Sequence, residues 1–436
     1  MKDYNSDLHI HSPHSIAVSQ SLNLDTMLET ARLKGLHLLG TGDILQPEWL
    51  KYMETNLDKK NGTYSYKELS FILQSEIEDE NSVHHLVFFQ DFDSVREIQK
   101  KLDPYSKNIT NEWGGRPRVN ISAAEIVDII SDSGGIIGPA HAFTPFRAIF
   151  RQNKFKTLKE CYEDSYKKVL FLELGLSANT DLADRIESLH DVSFLSNSDA
   201  HSQNPRSLGR EFNKISMEEP NFEELLLALK RKDNRKITLN LGLHPKLGKY
   251  YKMFCGKCRR RVLFKNTKKN IAMSFSQYSV TENFIIFFEN DPKSAEESYI
   301  DQVANNKITC PACKDKYGKN YKIKLGVSER VDTIATFENT QHPNHRPKYI
   351  NAIPLYDVAR AVKGIKSTSS KTVDKLYNKL INTLGPEYDI LLEIPIEEIE
   401  QVNKSIASVI DAFRNDEIEY VPGGGGTYGG IKFESE

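Results

Sequence analysis

Short apolar runs alternate with amphipathic stretches over the first part of the chain. Apolar runs at 36–40, 126–130 and 169–175 are separated by stretches with helical periodicity. Side chains repeat every second residue in a strand but every three to four residues in a helix, so this alternation is typical of an α/β domain. In such domains functional side chains collect in loops at the C-terminal ends of strands. We therefore predict an α/β domain over residues 1–240.

The pattern changes twice after this domain. Beyond residue 243 the chain becomes basic and polar, with one strand-like run at 284–288. From about residue 336 the periodicity is mostly helical, over 355–362, 371–384 and 396–413. We therefore predict a small module at 241–335 and a helical region at 336–436.

The chain ends in a glycine-rich segment at 422–430 that carries Tyr428 and is followed by Ile431 and Phe433. Such a run fits a flexible tail. It fits equally well a backbone loop that approaches a ligand closely, since glycine is used where a side chain would collide. Both interpretations stay open at this point.

Composition changes this picture little. With 436 residues, 39% hydrophobic and 27% charged, the chain has the composition of an ordinary soluble globular protein. No apolar run approaches the ~18 residues that a membrane span needs, and residues 1–4 do not open a signal region. We expect a cytoplasmic protein that has no membrane partner.

Histidines and acids gather at the predicted strand ends. His9 and His11 are two residues apart, so in a strand both imidazoles point to the same side. The candidate ligands are His9, His11, His14, Asp43, Glu76, one of the neighbours His84 and His85, His141, Asp199 and His201. Any one of them alone is more often a structural residue or a helix cap. Their joint pattern is typical of a multinuclear catalytic metal site.

These ligands divide among two to three divalent ions, which zinc, manganese or magnesium would supply. We expect the first ion to be held by His9, His11, Glu76 and Asp199. Glu76 would bridge to a second ion held by His141 and a histidine at 84 or 85, and a third would be held by His201, Asp43 and, as an option, His14. Such ions offset charge on phosphoryl oxygens and lower the pKa of a bound water. The pattern therefore indicates phosphate ester hydrolysis.

Arginines follow several of these motifs. Arg147 comes after His141, and Arg206 and Arg210 come after Asp199, while Arg116 and Arg118 lie in a loop with Gly and Pro. An arginine at the rim of a metal site would grip phosphate through its planar fork. An exposed arginine paired with a nearby acid fits each position equally well.

Four of the five cysteines form two C-x-x-C pairs, Cys255 with Cys258 and Cys310 with Cys313. Four thiolates suit a closed tetrahedral zinc site, which stabilises a module too small to hold itself by burial. A redox pair or isolated thiols are the alternatives, and Cys161 fits an ordinary buried thiol. We expect one structural zinc.

Positive charge is concentrated beside the first cysteine pair. Residues 246–269 hold ten Lys or Arg and no Asp or Glu. By itself such a run fits a solvated loop. Next to a rigid zinc knuckle, Arg259, Arg260 and Arg261 would instead present cations to a nucleic-acid backbone.

Two further segments resemble, loosely, a helix-hairpin-helix. Residues 362–366 contain a Gly turn, and residues 369–376 follow as a helix with Ser369 or Ser370 at its start. In a helix-hairpin-helix the turn offers backbone amides to a phosphate. A plain αα-hairpin capped by a serine fits the same residues.

The ordered ligand motifs resemble those of the polymerase and histidinol phosphatase superfamily. The motifs are His9-x-His11, Thr41-Gly42-Asp43, Glu76, Pro139-Ala140-His141 and Asp199-x-His201. The resemblance covers about residues 1–240 and implies a distorted (β/α)7 barrel with up to three metals. The superfamily commonly has Thr-Asp-His where this chain has Thr-Gly-Asp, so Asp43 stands where a histidine is often found. Of the two neighbouring histidines the resemblance favours His85, because His-Leu-Val is similar to the superfamily's His-hydrophobic-hydrophobic strand.

Taken whole, the chain resembles the endonuclease Q family, in which such a barrel is followed by a four-cysteine zinc module and a helical C-terminal region. The resemblance implies a DNA repair nuclease that cuts on the 5′ side of uracil, hypoxanthine, xanthine and abasic sites. A damaged nucleotide would be turned out of the helix into a pocket, with 423–430 as a candidate wall. The implied catalytic residues are Asp199, Glu76 and His141, and the DNA-binding residues are Arg147, Arg206, Arg210, Arg259, Arg260 and Arg261.

Two other functions remain open. A small-molecule phosphatase of the histidinol phosphate type shares the barrel but gives no role to the zinc module. A non-catalytic nucleic-acid-binding protein would carry a barrel that has lost its ligands. The retained set of His, Asp and Glu residues argues against this alternative.

Overall fold

The computed structural model describes residues 1–267, 273, 275–365, 367 and 370–432. Parts of three predicted features fall outside these residues: Lys268 and Lys269 of the basic run, Lys366 and Ser369 of the hairpin, and Phe433 of the tail. Within the described residues, no helix combines the length and apolar character needed to cross a membrane.

The first part of the chain alternates strands and helices, as its pattern predicts. Its strands are β1 (Lys2–Asp7), β2 (Leu38–Gly40), β3 (Asp58–Lys60), β4 (Thr63–Tyr66), β5 (Leu69–Glu78), β6 (His84–Phe89), β7 (Ile136–Pro139), β8 (Phe171–Glu173), β9 (Ser193–Leu195), β10 (Phe212–Met217) and β11 (Lys236–Leu243). Its helices are α1 (Leu24–Lys34), α2 (Pro47–Asn56), α3 (Phe92–Leu102), α4 (Ala123–Asp132), α5 (Leu158–Tyr162), α6 (Thr180–Ala183) and α7 (Phe222–Lys230), with 3₁₀ turns at Asp103–Tyr105, Glu163–Lys168, Glu187–Leu189 and Pro245–Leu247. The apolar run at 126–130 lies inside α4 rather than in a strand.

Seven of these strands follow one another around a common interior. β1 pairs in parallel with β2, and β2 with β5, whereas β6 runs antiparallel to both β5 and β7. The Ala142 amide donates to the Glu173 carbonyl at 2.8 Å, which joins the end of β7 to β8. β8 pairs in parallel with β9, and a bridge between Ile10 and Ala200 returns the chain beyond β9 to the end of β1. The reversed β6 distorts the ring from a regular parallel barrel.

The interior of the ring is one buried apolar cluster. Each strand, or the residue directly after it, contributes a side chain: Leu8, Leu38, Ile72, Leu86, Ile136, Phe171 and Leu195. A larger apolar cluster lies outside the ring, between the strands and the helices that cover them. The two clusters give the barrel its two layers, and the strand ends are left to carry polar side chains.

The sheet of the barrel continues beyond the ring. β10 runs antiparallel to β1, and β11 runs antiparallel to β10. β17 (Lys348–Ala352) then pairs in parallel with β11. A strand from the region predicted as helical therefore belongs to the same sheet as the barrel.

The cysteine module is a small five-stranded sheet with a helix packed on it. Its elements are β12 (Phe254–Cys255), β13 (Arg261–Asn266), β14 (Tyr278–Val280), β15 (Phe284–Glu289), α8 (Pro292–Ala304), α9 (Pro311–Tyr317), β16 (Ile323–Lys324) and α10 (Val327–Ile334). The predicted strand at 284–288 is confirmed as β15. The core of the module joins aromatic and aliphatic side chains to three of the cysteines.

After β17, the described residues form five helices and a hairpin. They are α11 (Leu355–Val362), α12 (Lys371–Leu384), α13 (Glu387–Leu392), α14 (Ile396–Val402), α15 (Lys404–Arg414), β18 (Glu419–Val421) and β19 (Gly430–Lys432). The helices predicted at 355–362 and 371–384 are confirmed, while 396–413 forms two helices that meet at Asn403, whose side chain caps α15. The glycine-rich segment is a loop, because the amides of Gly423, Gly426 and Gly429 donate to carbonyls of residues 246–249.

Candidate active site

The ends of the barrel strands hold the candidate ligands in place. His9 and His11 follow β1, and both are fully buried. Asp43, His141 and Asp199 follow β2, β7 and β9, and each has a positive φ, between 31° and 50°. Non-glycine residues rarely adopt this backbone conformation, and such residues cluster at functional sites. The strand ends therefore turn sharply at three of the ligand positions.

His9, His11 and Asp199 form the first group of potential ligands. One ligand atom from each lies within 4.8 Å of the others. His11 Nε2 is 3.0 Å from Asp199 Oδ1, and His9 Nε2 is 3.7 Å from the same oxygen. Two imidazole nitrogens and a carboxylate oxygen are a ligand set that binds divalent transition metals.

Glu76, His84 and His141 form the second group. Glu76 Oε1 lies 2.9 Å from His141 Nε2 and 3.0 Å from His84 Nδ1. The same carboxylate lies 3.8 Å from His9 Nε2 and 3.6 Å from His11 Nε2. Glu76 is therefore positioned between the two groups, as the sequence predicts for a bridging ligand.

The residues present fit bound metal. His9 Nε2 is buried and has no hydrogen-bond partner among the described residues. The other ring nitrogen, Nδ1, lies 2.9 and 3.0 Å from the two oxygens of Glu173 and so donates its hydrogen to that carboxylate. In the neutral, metal-binding form of the ring this hydrogen bond leaves the Nε2 lone pair to a metal, and a carboxylate behind the ring is the usual support of a metal-binding histidine.

His11 is supported in the same way. Its Nδ1 lies 3.0 Å from Asp43 Oδ1, and the other Asp43 oxygen accepts hydrogen bonds from the amide and the hydroxyl of Ser12. Asp43 therefore orients a ligand instead of pointing into open space. This contact accounts for an acid at a position where the superfamily often has a histidine.

Glu173 was missed by the sequence reasoning. It is fully buried at the end of β8, where it also accepts a hydrogen bond of 2.7 Å from the His141 amide. Asn197 donates to its other oxygen at 2.9 Å. An acid at the end of a short apolar run is the same signal that marks Asp199, and it was available in the sequence at 171–173.

The site is strongly polarised. Burial alone would lower the pKa of His9, but Glu173, Asp199 and Glu76 together raise that pKa to about 10. Burial opposes ionisation of Glu76, yet Arg116 and His84 hold the pKa of its carboxyl well below the usual range. The Glu76 carboxylate is therefore ionised and attracts cations.

Arg116 is one such cation. Its Nε donates to Glu76, and a terminal nitrogen lies 3.3 Å from His11 Nε2. The guanidinium thus reaches both ligand groups from the loop between α3 and α4.

The structure places His84, not the His85 expected from the resemblance, beside Glu76 and His141. The two histidines are consecutive in β6, so their side chains point to opposite faces of the strand. His85 Nδ1 lies 2.8 Å from the Tyr162 hydroxyl, and its Nε2 lies 3.2 Å from Asp79. The face of β6 that points to Glu76 therefore carries His84, which replaces His85 as the candidate ligand.

The described residues bring together two groups of barrel ligands rather than three. Asp43 is engaged by His11 and Ser12, and His14 Nδ1 donates to the Glu112 carbonyl at 2.9 Å. His201 is close to the first group, with its ring centre 4.6 Å from that of His11, but its Nδ1 contacts the Asp199 carbonyl. The third site predicted from His201, Asp43 and His14 is not assembled here.

A cavity of about 350 Å³ opens onto the ligands. Cationic side chains line its rim, namely Arg116, Arg147, Lys249 and Arg259. Arg147 is paired with Glu78 at 2.8 Å, and the Arg259 guanidinium lies over the Phe146 ring at 5.2 Å. The rim contains residues of both the barrel and the cysteine module, so positive charge borders the metal ligands from two sides.

A second cavity has a volume of about 670 Å³, and Tyr428 in its wall has its ring centre 5.6 Å from Lys249 Nζ of the first cavity. Arg206, Arg210 and the glycine-rich loop are among its walls. Arg210 donates to the Ser198 carbonyl at 2.9 Å and to the Tyr428 hydroxyl at 3.0 Å, so it connects the ligand-bearing strand end to the C-terminal loop.

The remaining predicted DNA-binding arginines lie on the cysteine module. Arg260 donates to the Thr281 carbonyl at 2.7 Å. Arg261 donates to the Pro422 carbonyl, and its guanidinium lies 4.4 Å from the centre of the Phe284 ring. Arg261 thereby joins the module to the C-terminal loop.

The four paired cysteines converge. Cys255 Sγ is 3.5 Å from Cys313 Sγ, and Cys258 Sγ is 3.8 Å from Cys310 Sγ. All four sulfurs lie within 4.8 Å of one another, and none is in a disulfide. This arrangement fits a tetrahedral zinc site, whose sulfur ligands each lie about 2.3 Å from the metal.

Known proteins are similar to this chain in two ways: one family model matches the C-terminal helices, and individual proteins match most or all of the chain. Residues 354–417 match a family model described as the MJ0043 C-terminal domain. The uncharacterized protein MJ0043 of Methanocaldococcus jannaschii is 35% identical over 307 residues, 69% of this chain and 32% of that protein. The chain therefore spans about a third of that relative's length. The uncharacterized protein YqxK of Bacillus subtilis is 30% identical over 454 residues, 99% of this chain and 100% of the relative.

Two solved structures match over the full length of the chain. The lesion-specific endonuclease PfuEndoQ from Pyrococcus furiosus has a TM-score of 0.82 and 37% identity, and the match covers 100% of this chain and 96% of that one. An endonuclease Q in complex with a 27-mer duplex carrying an abasic lesion at the active site gives the same score and identity, over 100% and 97%.

Proposed function

This chain belongs to the endonuclease Q family, and we propose that it is a DNA repair endonuclease. Its reaction would be metal-dependent hydrolysis of the phosphodiester on the 5′ side of a damaged nucleotide. The lesions would be deaminated bases, such as uracil, hypoxanthine and xanthine, and abasic sites. The observation that carries the proposal is the pair of neighbouring ligand groups, with Glu76 of the second group facing the first, on a chain that matches a lesion-specific endonuclease over its whole length.

His9, His11 and Asp199 would hold one divalent ion, and Glu76, His84 and His141 a second. Such ions neutralise charge on the phosphoryl oxygens and lower the pKa of a bound water. Glu173 and Asp43 accept the Nδ1 hydrogens of His9 and His11, so the Nε2 atoms face the acids. Because the rings are buried and held from behind, the ligands are ordered before metal arrives.

The cationic rim would hold the DNA backbone. Arg147 and Arg259 approach the ligands from the barrel and from the cysteine module, and Lys249 lies beside them. Guanidinium groups bind phosphate oxygens through two parallel hydrogen bonds. A backbone gripped on both sides of the ligand groups presents its phosphodiester to them.

The larger cavity would receive the damaged nucleotide. Its volume of about 670 Å³ falls within the range typical of ligand sites. The glycine-rich loop brings backbone groups to the wall of this cavity. Arg210 also lines the cavity and donates a hydrogen bond to the Ser198 carbonyl, next to Asp199. Backbone amides and carbonyls can read the Watson–Crick edge of a base that is turned out of the duplex.

The four cysteines would hold one structural zinc. The zinc would fix Arg259, Arg260 and Arg261 on a rigid knuckle directly after Cys258. A fixed cation loses less side-chain entropy on binding phosphate than one on a mobile loop.

A cleavage assay tests the proposal. Duplex oligonucleotides carry uracil, hypoxanthine, xanthine, an abasic site or no lesion, and each is incubated with a series of divalent metals. We expect cutting 5′ of each lesion and none of the undamaged duplex. Equal cutting of all five duplexes would leave a general nuclease, and cutting of none would remove the endonuclease proposal.

Asp199→Ala provides the matched control for the site. It removes a ligand oxygen that both His9 and His11 face, so we expect cutting to fall by at least ~100-fold. The cationic rim is unchanged, so DNA affinity measured by fluorescence anisotropy should stay close to that of the wild type. Wild-type cutting rates in this variant would exclude the ligand assignment.

A further inference from the structure

Two large apolar side chains, Ile16 and Trp113, are exposed to solvent in the loops that carry candidate site residues. Ile16 is 73% exposed and follows the ligand segment that carries His9 and His11. Trp113 is 52% exposed and lies three residues before Arg116, which contacts Glu76. Exposure of a single apolar residue says little by itself. Here the two side chains come from loops that also carry His11 and Arg116 of the candidate site, and one of them is an indole.

The two loops that carry these side chains touch each other. The Gly115 amide donates to the His14 carbonyl at 3.2 Å, and His14 Nδ1 donates to the Glu112 carbonyl at 2.9 Å. Glu112 before Trp113 and Gly115 after it therefore both form hydrogen bonds with His14, two residues before Ile16.

The loop of Trp113 is also tied to the barrel. The Val119 amide donates to the Glu78 carbonyl at 2.8 Å, and the Gly114 amide donates to the Asn111 carbonyl at 2.9 Å. Gln46 donates to the same Asn111 carbonyl at 3.4 Å. The indole thus projects from an anchored turn, and little conformational entropy is lost if it inserts into a partner.

A nucleotide that leaves a duplex creates a gap. Its neighbours lose their stacking partner, and proteins that distort DNA compensate by inserting apolar side chains between the bases. Indole rings stack well on bases because every base has a flat π-face.

Resting on the proposed function, we propose that Trp113, supported by Ile16, inserts into the duplex and fills the gap left by the extruded nucleotide. The partner of this surface is therefore the base stack next to the lesion, and the metal ligands act on the phosphodiester beside it. Trp113 is a positioning residue, since it holds the distorted duplex and touches no reacting atom.

The chain supplies its own fluorescent reporter. It has two tryptophans, and Trp49 is 4% exposed whereas Trp113 is 52% exposed. Asp199→Ala protein, which should bind without cutting, is titrated with a lesion duplex and with an undamaged duplex. We expect the lesion duplex to quench tryptophan emission and Trp113→Phe in the same background to remove the change.

Kinetics provide the second readout. Trp113→Ala should lower kcat/KM on lesion duplexes at least tenfold more than on single strands with the same lesion, because a single strand has no gap to fill. Trp113→Phe should recover most of the loss, and Ile16→Ala should show a smaller effect of the same kind. Tyr105→Ala is the matched control, since Tyr105 is a 47% exposed aromatic residue from the same segment.

The outcomes separate this inference from the proposed function. If the wild type cuts lesion duplexes and Trp113→Ala cuts them at the same rate, the inserted indole is excluded and the nuclease assignment stands. An equal loss on duplex and single strand also excludes it, because the residue then acts on the site itself. If the wild type cuts neither form of any lesion substrate, both proposals fall together.

Discussion

Each proposed ligand is defined by the group behind it as well as by its own chemistry. Glu173 and Asp43 determine which nitrogens of His9 and His11 face the centre. The imidazoles were predictable as a pair, because the two histidines of His-x-His in a strand point to the same face. Their supports were harder to predict, since Glu173 carries the same sequence signal as Asp199 but its contact with His9 follows only from the fold.

The choice between His84 and His85 shows the same limit. Strand alternation separates the two neighbours with certainty, but the sequence of β6 alone does not say which of its faces is the inner one. Both faces are buried, so no polar side reveals the direction. The phase of β6 comes from its register with β5, in which His84 lies opposite Glu78 and His85 opposite Ile77.

The two histidines form a matched pair of variants. His84→Gln removes a ligand nitrogen 3.0 Å from Glu76, so we expect loss of one barrel metal and a fall in cutting of at least ~100-fold. His85→Gln changes contacts with Tyr162 and Asp79 on the other face, so both barrel metals should remain. Metal content per chain, measured by mass spectrometry, checks both expectations. Retention of both metals by His84→Gln and loss of one by His85→Gln would reverse the assignment.

At the scale of the elements, alternating patterns predicted the strands well and their directions poorly. The run at 36–40 contains β2 and the run at 169–175 contains β8, whereas the run at 126–130 became part of α4. The antiparallel course of β6 was not predictable, because strand direction depends on pairing with β5 and β7 and not on residues within β6. The positive-φ turns at the strand ends likewise depend on residues of other strands that pack against them.

Gly175 illustrates such a neighbour. It follows β8 with a φ of 73°, and an added Cβ would lie 2.6 Å from the Cβ of His141. Gly175→Ala should therefore displace His141 as well as strain the backbone, which alone costs about 1–2 kcal/mol. We expect loss of the second metal and at least tenfold slower cutting.

Gly318→Ala is the control for backbone strain. Its φ is 61°, and apart from its chain neighbours and its own helix no described residue has an atom within 4 Å of the added Cβ. This variant should lose a similar amount of stability in thermal unfolding but keep its barrel metals and its cutting rate. If Gly175→Ala behaved in the same way, contact with His141 would have no role in the site.

At the scale of the whole molecule, the three predicted parts are joined by a common sheet and by hydrogen bonds that composition does not reveal. β17 comes from beyond the cysteine module and completes the sheet of the barrel. The glycine-rich loop donates hydrogen bonds to residues 246–249 and lines the larger cavity. Composition could divide the chain into parts, but it could not predict contacts between residues that lie hundreds of positions apart.

The helical region is fastened to the barrel by a buried ion pair. Lys34 in α1 lies 2.9 Å from Glu387 in α13, and both side chains are 1% exposed. Glu387 also accepts hydrogen bonds from the Leu355 amide and the Tyr377 hydroxyl, so it connects α11 and α12 to the same point. Tyr388, the next residue, donates to the Gly209 carbonyl of the barrel.

Breaking this pair should therefore loosen one wall of the larger cavity. Lys34→Met leaves an uncompensated buried carboxylate, so we expect a loss of about 3–5 kcal/mol in the free energy of unfolding in urea. Glu387→Gln should also destabilise the protein, whereas the double variant should lose clearly less than the sum of the two. Arg96→Ala, which breaks an exposed pair with Glu54, should cost no more than about 1 kcal/mol. Additive losses in the double variant would mean that Lys34 and Glu387 stabilise the protein independently, and the ion pair would then have no role in attaching the helices.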